Sequence, residues 1–167
     1  MRLWFSRAVF ARLAMTALAA TAACAPAQSG EPVVRGADEL RRAETQLSAA
    51  GATLSLAVEA WRSFQPIVGN AGDPLTAILR VHAGQAEGVP GALALGTVYL
   101  VHGADVVQME AREEEPRASN AGTVEFVLRD GPRWAAGDSI DVIAEVAGLG
   151  GPTVLLRAPR VAIMRVD

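Results

Sequence analysis

Lysine is missing from this 167-residue chain: all fifteen basic residues are arginine. A taste for arginine can mark bidentate recognition of carboxylate or phosphate. Here the arginines are scattered among eighteen acidic residues, the formal charge is −3, and no basic stripe forms. That distribution argues for a coding bias and against a nucleic-acid partner. Histidine occurs twice, at His82 and His102, and neither has a second ligand type at zinc-binding spacing. Gly-x-Ser-x-Gly elbows, phosphate loops and dinucleotide fingerprints are also missing. The apolar stretch over 13–23 is the longest, about half of the roughly 20 residues a membrane-spanning helix needs.

Cysteine occurs once, at Cys24, and its surroundings are informative. Arg2, Arg7 and Arg12 form a positive front end with no acidic residue, and the apolar run and small residues follow. This is the three-part layout of an export signal over 1–23. The stretch Thr21-Ala22-Ala23-Cys24 resembles the lipobox of bacterial lipoproteins, with Thr21 where that motif usually carries leucine. The resemblance implies cleavage before Cys24 and a lipid on its sulfur, hence a membrane-anchored protein of the cell envelope. Ordinary secretion, with cleavage after Ala22 or Ala27, is the alternative. Once Cys24 is acylated, no disulfide, thiolate nucleophile or cysteine-bound metal remains, although export would permit disulfides.

Residues 24–50 read as a lipid-attached linker. Pro26, Ser29, Gly30 and Pro32 fill its first half. A short helix is expected over 38–47, with Asp38 as cap and Leu40, Ala43 and Leu47 at helical spacing. A flexible tether of this length would reach roughly 30 Å.

From Ala52 the period changes to two. Strands are expected over 52–60, 75–82, 96–102, 105–111, 124–129, 140–146 and 153–166, with glycine- and proline-rich turns between them. Gly103-Ala104 is placed to close a hairpin between the third and fourth. Pro159 marks an edge, bend or bulge in the last strand. Seven strands and no strand–helix alternation predict an all-β domain over 51–167: a seven-stranded antiparallel immunoglobulin-like β-sandwich. A small barrel or a jelly roll is the alternative. The sheet-bridging disulfide and tyrosine corner of antibody domains are absent.

The stretches Trp61-Arg62-Ser63-Phe64-Gln65-Pro66, Arg129-Asp130-Gly131-Pro132-Arg133-Trp134 and Leu155-Leu156-Arg157-Ala158-Pro159 resemble small bacterial lipoproteins built from one immunoglobulin-like sandwich. That likeness implies a location and a fold, and no reaction.

Candidate sites are few. Glu113-Glu114-Glu115, with Asp138 and Asp141, offers hard oxygen ligands without calcium-loop spacing and reads as solvated charge. Trp61, Arg62 and Trp134 are the candidate partner-binding residues, since outward tryptophan beside arginine is favoured at interface hot spots. Tryptophans capping the ends of the sandwich are the bland alternative. The chain thus reads as a non-enzymatic binding or structural module. Its expected partners are a membrane, through lipid on Cys24, and an envelope protein or polymer. No catalytic residue, metal or cofactor is assigned. A peptidase-inhibitor-like domain and a small hydrolase or metal-dependent enzyme are the rival readings. The inhibitor would present loops 66–74 and 84–91, and the enzyme would need acids to converge on His82 or His102.

Overall fold

Alternating apolar and polar residues fold into eight strands: β1 Gln46–Ala49, β2 Ala52–Ser63, β3 Leu75–Gly84, β4 Ala94–His102, β5 Asp105–Arg112, β6 Thr123–Gly131, β7 Ser139–Ala147 and β8 Val154–Val166. The structure is a computed structural model describing residues 35–49, 51–65, 71–84, 88–114, 116–117 and 121–167. The export signal expected over 1–23, Cys24 and the linker before residue 35 lie outside the described residues. So do most of loop 66–74 and much of loop 84–91.

The strands run in the spatial order β1-β2-β3-β6-β5-β4-β7-β8, and β8 pairs with β2. Seven of them, β2 to β8, therefore close into a mixed barrel. This corrects the expected antiparallel immunoglobulin-like sandwich. Two seams make the closure. At the first, Ala60, Trp61, Arg62 and Ser63 pair in parallel with Ile163, Met164, Arg165 and Val166. At the second, Ala111 and Arg112 pair with Leu128 and Val127.

The reason lies in strand length and in bulges. β2 has 12 residues and β8 has 13, about 40 Å of extended chain each. Such strands can serve one sheet at one end and another at the other, turning the corner at a bulge. In β8 the corner is Pro159 and Arg160. Ala158 and Val161 both pair with inward residues of β7, and the register shifts between Ile140 and Val142. Arg160 sits at φ 53 and Asp130, beside the second seam, at φ 59. Among the described residues these are the only non-glycine positions with positive φ, and each stands at a register shift in a ladder: Arg160 in β7–β8 and Asp130 in β3–β6. Strand β8 is thus no free edge: over residues 163–166 it is paired with β2, and through 161 and 162 with β7.

The inward residues fill the barrel. Leu54, Leu79, Leu100, Leu128, Ile140 and Leu156 are fully buried in one apolar core, each contributing about 1.5–3 kcal/mol by leaving water. The hairpin expected at Gly103-Ala104 is present, with His102 opposite Asp105.

The helix expected over 38–47 is confined to one turn, α1 (Ala37–Leu40), with no side-chain cap. The chain then straightens, and Gln46–Ala49 joins β2 as β1. Leu40 enters a second cluster on the outer face with Tyr99, Val101 and Ile143. Beside it the Tyr99 hydroxyl donates to Glu145 Oε1 at 2.9 Å. Burial first, and then that hydrogen bond, push its pKa up. Arg41 ties the same segment down by donating from Nε to Asp141 Oδ2 at 2.9 Å.

Candidate functional site

Strand β2 carries both the closing ladder and the site. Its inward residues are Leu54, Leu56, Ala60 and Arg62. Alternation turns Trp61 outward, directly opposite Met164 of β8. The bulge at Pro159 resets the parity of β8, so Ala162, Met164 and Val166 also face out. Met164 is 47% and Val166 43% exposed, the two large apolar side chains open to solvent among the described residues. Together with Trp61 they form an apolar outer patch at the first seam. Exposed apolar groups that cluster mark contact surfaces more often than scattered ones do.

A slot opens beside this patch. Residues 52–55 of β2 pair with β1 and residues 60–63 pair with β8. Between them, residues 56–59 have β3 on one side and no ladder partner on the other. The facing stretch of β8 is the bulge. The groove between them has a volume of about 410 Å³ and is lined by Ala57, Val58, Pro159, Arg160 and Val161, among others. Asp141 holds the bulge in place: its Oδ1 accepts from the Arg160 backbone N–H at 3.2 Å, while its Oδ2 takes Arg41.

The three residues expected at a partner surface go to different places. Trp61 lies on the outer face. Arg62 is 5% exposed and points into the end of the barrel. Its guanidinium donates to the carbonyls of Ala71 (2.7 Å), Asp73 (2.8 Å), Trp134 (2.9 Å) and Arg133 (3.3 Å). It also lies 4.9 Å from the Phe64 ring centroid. Arg62 is therefore a fastener that ties loops to β2. Gly72 fits tightly beneath it at φ 80, where a Cβ would stand 2.6 Å from the Phe64 ring and 2.9 Å from Arg62 Nη2. Arg133 reinforces this end by donating to the Gly72 carbonyl. Trp134 packs against the core, its ring 5.1 Å from that of His102.

The remaining polar candidates among the described residues are also engaged, and Glu115 lies outside those residues. His102 Nε2 is 3.3 Å from Asp138 Oδ2, and His82 Nδ1 is 2.8 Å from Thr123 Oγ1. Glu114 takes a fork from Arg129, at 2.8 and 3.0 Å from Nη2. Glu113 accepts from Arg117 Nε at 2.9 Å. Arg117 also donates to the carbonyls of Leu93 (2.8 Å) and Pro90 (3.3 Å), latching the β5–β6 connection to the chain ahead of β4. That guanidinium holds the Glu113 carboxyl below its usual range. Among the described residues no three His, Cys, Asp or Glu side chains converge as metal ligands would.

The outward role of Trp61 follows from alternation, and so is legible in the sequence. Met164, Val166 and Arg160 escape it because their facing depends on the extra residue at the bulge. The signal was Pro159 itself, which announces a break without stating its parity.

Comparison of the chain with protein-family models, with curated proteins and with solved structures finds no match. Fold and site alone define its class: a small, filled β-barrel with a slotted seam and an apolar patch beside it.

Proposed function

We propose that the chain is a non-enzymatic module of a bacterial cell envelope, tethered by lipid on Cys24 and binding an envelope protein or polymer through the face around Trp61, Met164 and Val166. The carrying observation is the outward Trp61–Met164 pair on the seam, with Val166 exposed beside it. Tryptophan and methionine are enriched where protein surfaces meet. Apolar side chains fill the barrel interior, which leaves the outer face to make contacts. The export signal and Cys24 supply the location.

The test is photocrosslinking in the native host, with a benzophenone residue replacing Trp61 or Met164 in turn. The reading expects one shared crosslinked partner from both positions and none from the opposite outer position Gln108. It also expects Cys24→Ser to release the protein from the membrane fraction. Equal, diffuse crosslinking from all three positions would remove the binding role. Release that is unchanged in Cys24→Ser would remove the anchor.

A further inference from the structure

The slot in the first seam has the features of a built opening. Two hydrogen-bond donors that would close it are withdrawn from the ladder. Pro159 has no N–H to give. Arg160, in the left-handed region at φ 53, turns its N–H to Asp141 instead. A non-glycine residue held in that region by a specific partner is strain maintained by its surroundings. Residues 56–59 of β2 therefore face a stretch of β8 that cannot zip onto them.

Length and charge limit what can. The opening is bounded by β1 at one end and by the Ala60–Ile163 pair at the other. It spans four residues of β2, about 13 Å. A sheet edge from a second folded domain is too long and too broad for a gap closed at both ends. A single extended segment of about four residues fits it. The lining is small and apolar, so the segment's side chains there need little room. Glu59 on the β2 lip already has a partner: Arg80 Nη1 lies 2.8 Å from it, and the same guanidinium also takes Glu125 at 2.8 Å. On the other lip the Arg160 side chain is exposed and makes no hydrogen bond or ion pair among the described residues. Arg160 is thus the cation of the slot that is left open to an incoming anion.

We infer that this slot takes an extended peptide segment bearing a carboxylate, its backbone paired with residues 56–59 of β2 and its carboxylate on Arg160. The inference rests on the binding role proposed above and names the chemistry of the partner. Main-chain pairing supplies affinity in such strand addition, and side-chain pockets supply selectivity. The guanidinium fork gives the carboxylate a two-point contact.

The experiment uses the full-length protein in detergent micelles and fluorescein-labelled tetrapeptides of alternating threonine and valine, with glutamate, glutamine or lysine at the third position. The glutamate peptide is expected to bind at least 10-fold more tightly than the lysine peptide. Arg160→Asn tolerates the left-handed conformation and so removes the charge without straining the bulge. It is expected to abolish that preference while leaving the melting temperature unchanged. N-methylation along the glutamate peptide should weaken binding at every second residue. Equal affinity for the three peptides, no binding of any, or an N-methyl profile without a period of two overturns the inference. The photocrosslinks from positions 61 and 164 separate the two levels. If they persist while the peptides fail, the slot assignment falls and the binding role stands.

Discussion

The barrel's two seams are closed by different physics. At the β2–β8 seam the closure is backbone: a four-pair parallel ladder, with β1 laid along the same edge of β2 and the Arg157 N–H donated to the Glu44 carbonyl at 2.8 Å. Arg62 lies buried beneath it and donates only to carbonyls. At the β5–β6 seam the ladder has two pairs, and side chains support it: Arg129 of β6 takes Glu114 just past β5, and Arg117 on Glu113 ties the connection between the two strands to the carbonyls of Pro90 and Leu93. Backbone ladders shielded by packing respond little to salt or pH. Ion pairs near the surface respond to both. The two seams should therefore fail under different conditions, and the one that withstands acid and salt is the one with the slot.

The largest effect expected is at the first seam. Arg62→Met keeps the volume but leaves four carbonyls without their donor. Hydrogen bonds to a charged group are worth about 1.5–3 kcal/mol each and do not add simply, so a loss of about 4 kcal/mol in urea denaturation is expected. A loss below about 1 kcal/mol would show that the end of the barrel is not held this way. Next comes Leu40→Ala, which empties the outer cluster over Tyr99, Val101 and Ile143. Large-to-small changes at buried leucines cost about 2–5 kcal/mol. Thermal melting should show a loss near the low end of that range, because a single helical turn can shift to fill the gap. The loss should also speed amide exchange in β1.

The second seam calls for smaller effects with a condition attached. Arg117→Ala should cost about 2 kcal/mol at neutral pH and low salt, and less at 1 M salt. Acid provides the sharper contrast. The carboxyl of Glu113 titrates below its usual range in the folded protein, chiefly because Arg117 donates to it. Its contribution is thus complete above the unfolded pKa of about 4.3 and is lost as pH falls through the lower folded value. Stability measured from pH 7 downward should fall in that window for the natural chain. In Arg117→Ala, whose Glu113 no longer has a depressed pKa, this part of the fall should vanish. If both proteins lose the same stability in acid, the connection beside the second seam is not held by this pair.

The strands themselves could be read directly from the sequence. Leu54, Leu56, Leu79, Val81, Phe126, Leu128, Val142 and Val146 alternate with polar or outward neighbours, and all eight are buried. Period-two burial is a local property, visible in any window of six residues. Closure is not local. It depends on residues 163–166 reaching β2 a hundred positions earlier, and on Ala111 and Arg112 crossing to β6. Two short ladders turn what reads as a pair of facing sheets into a barrel, and no periodicity announces them. β1 was hidden for another reason. Leu40, Ala43 and Leu47 do stand at helical spacing, yet only Leu40 and Ala43 reach the outer apolar cluster, and Leu47 is drawn into the ladder opposite Leu54.

The site shows the same division. Trp61 is outward because its neighbours Ala60 and Arg62 are inward, a consequence of alternation alone. The same alternation turns Arg62 inward, but what satisfies its buried guanidinium could not be seen, because its partners Ala71, Asp73, Arg133 and Trp134 come from two loops whose approach the sequence does not state. Arg117 sits in a charged stretch that reads as solvated, and only the proximity of Pro90 and Leu93 makes it a latch.

The first seam is closed at both ends and open between them. Residue-resolved amide exchange along β2, followed by NMR, tests it most directly. Protection is expected at the amides of residues 60–62, which lie within the ladders to β3 and β8. Over residues 56–59 alternation is expected: amides facing β3 are protected, and those facing the slot exchange at rates near those of exposed loops. Uniform protection across 56–62 would mean that β2 and β8 pair without interruption. That result would contradict both the slot and the binding mode built on it.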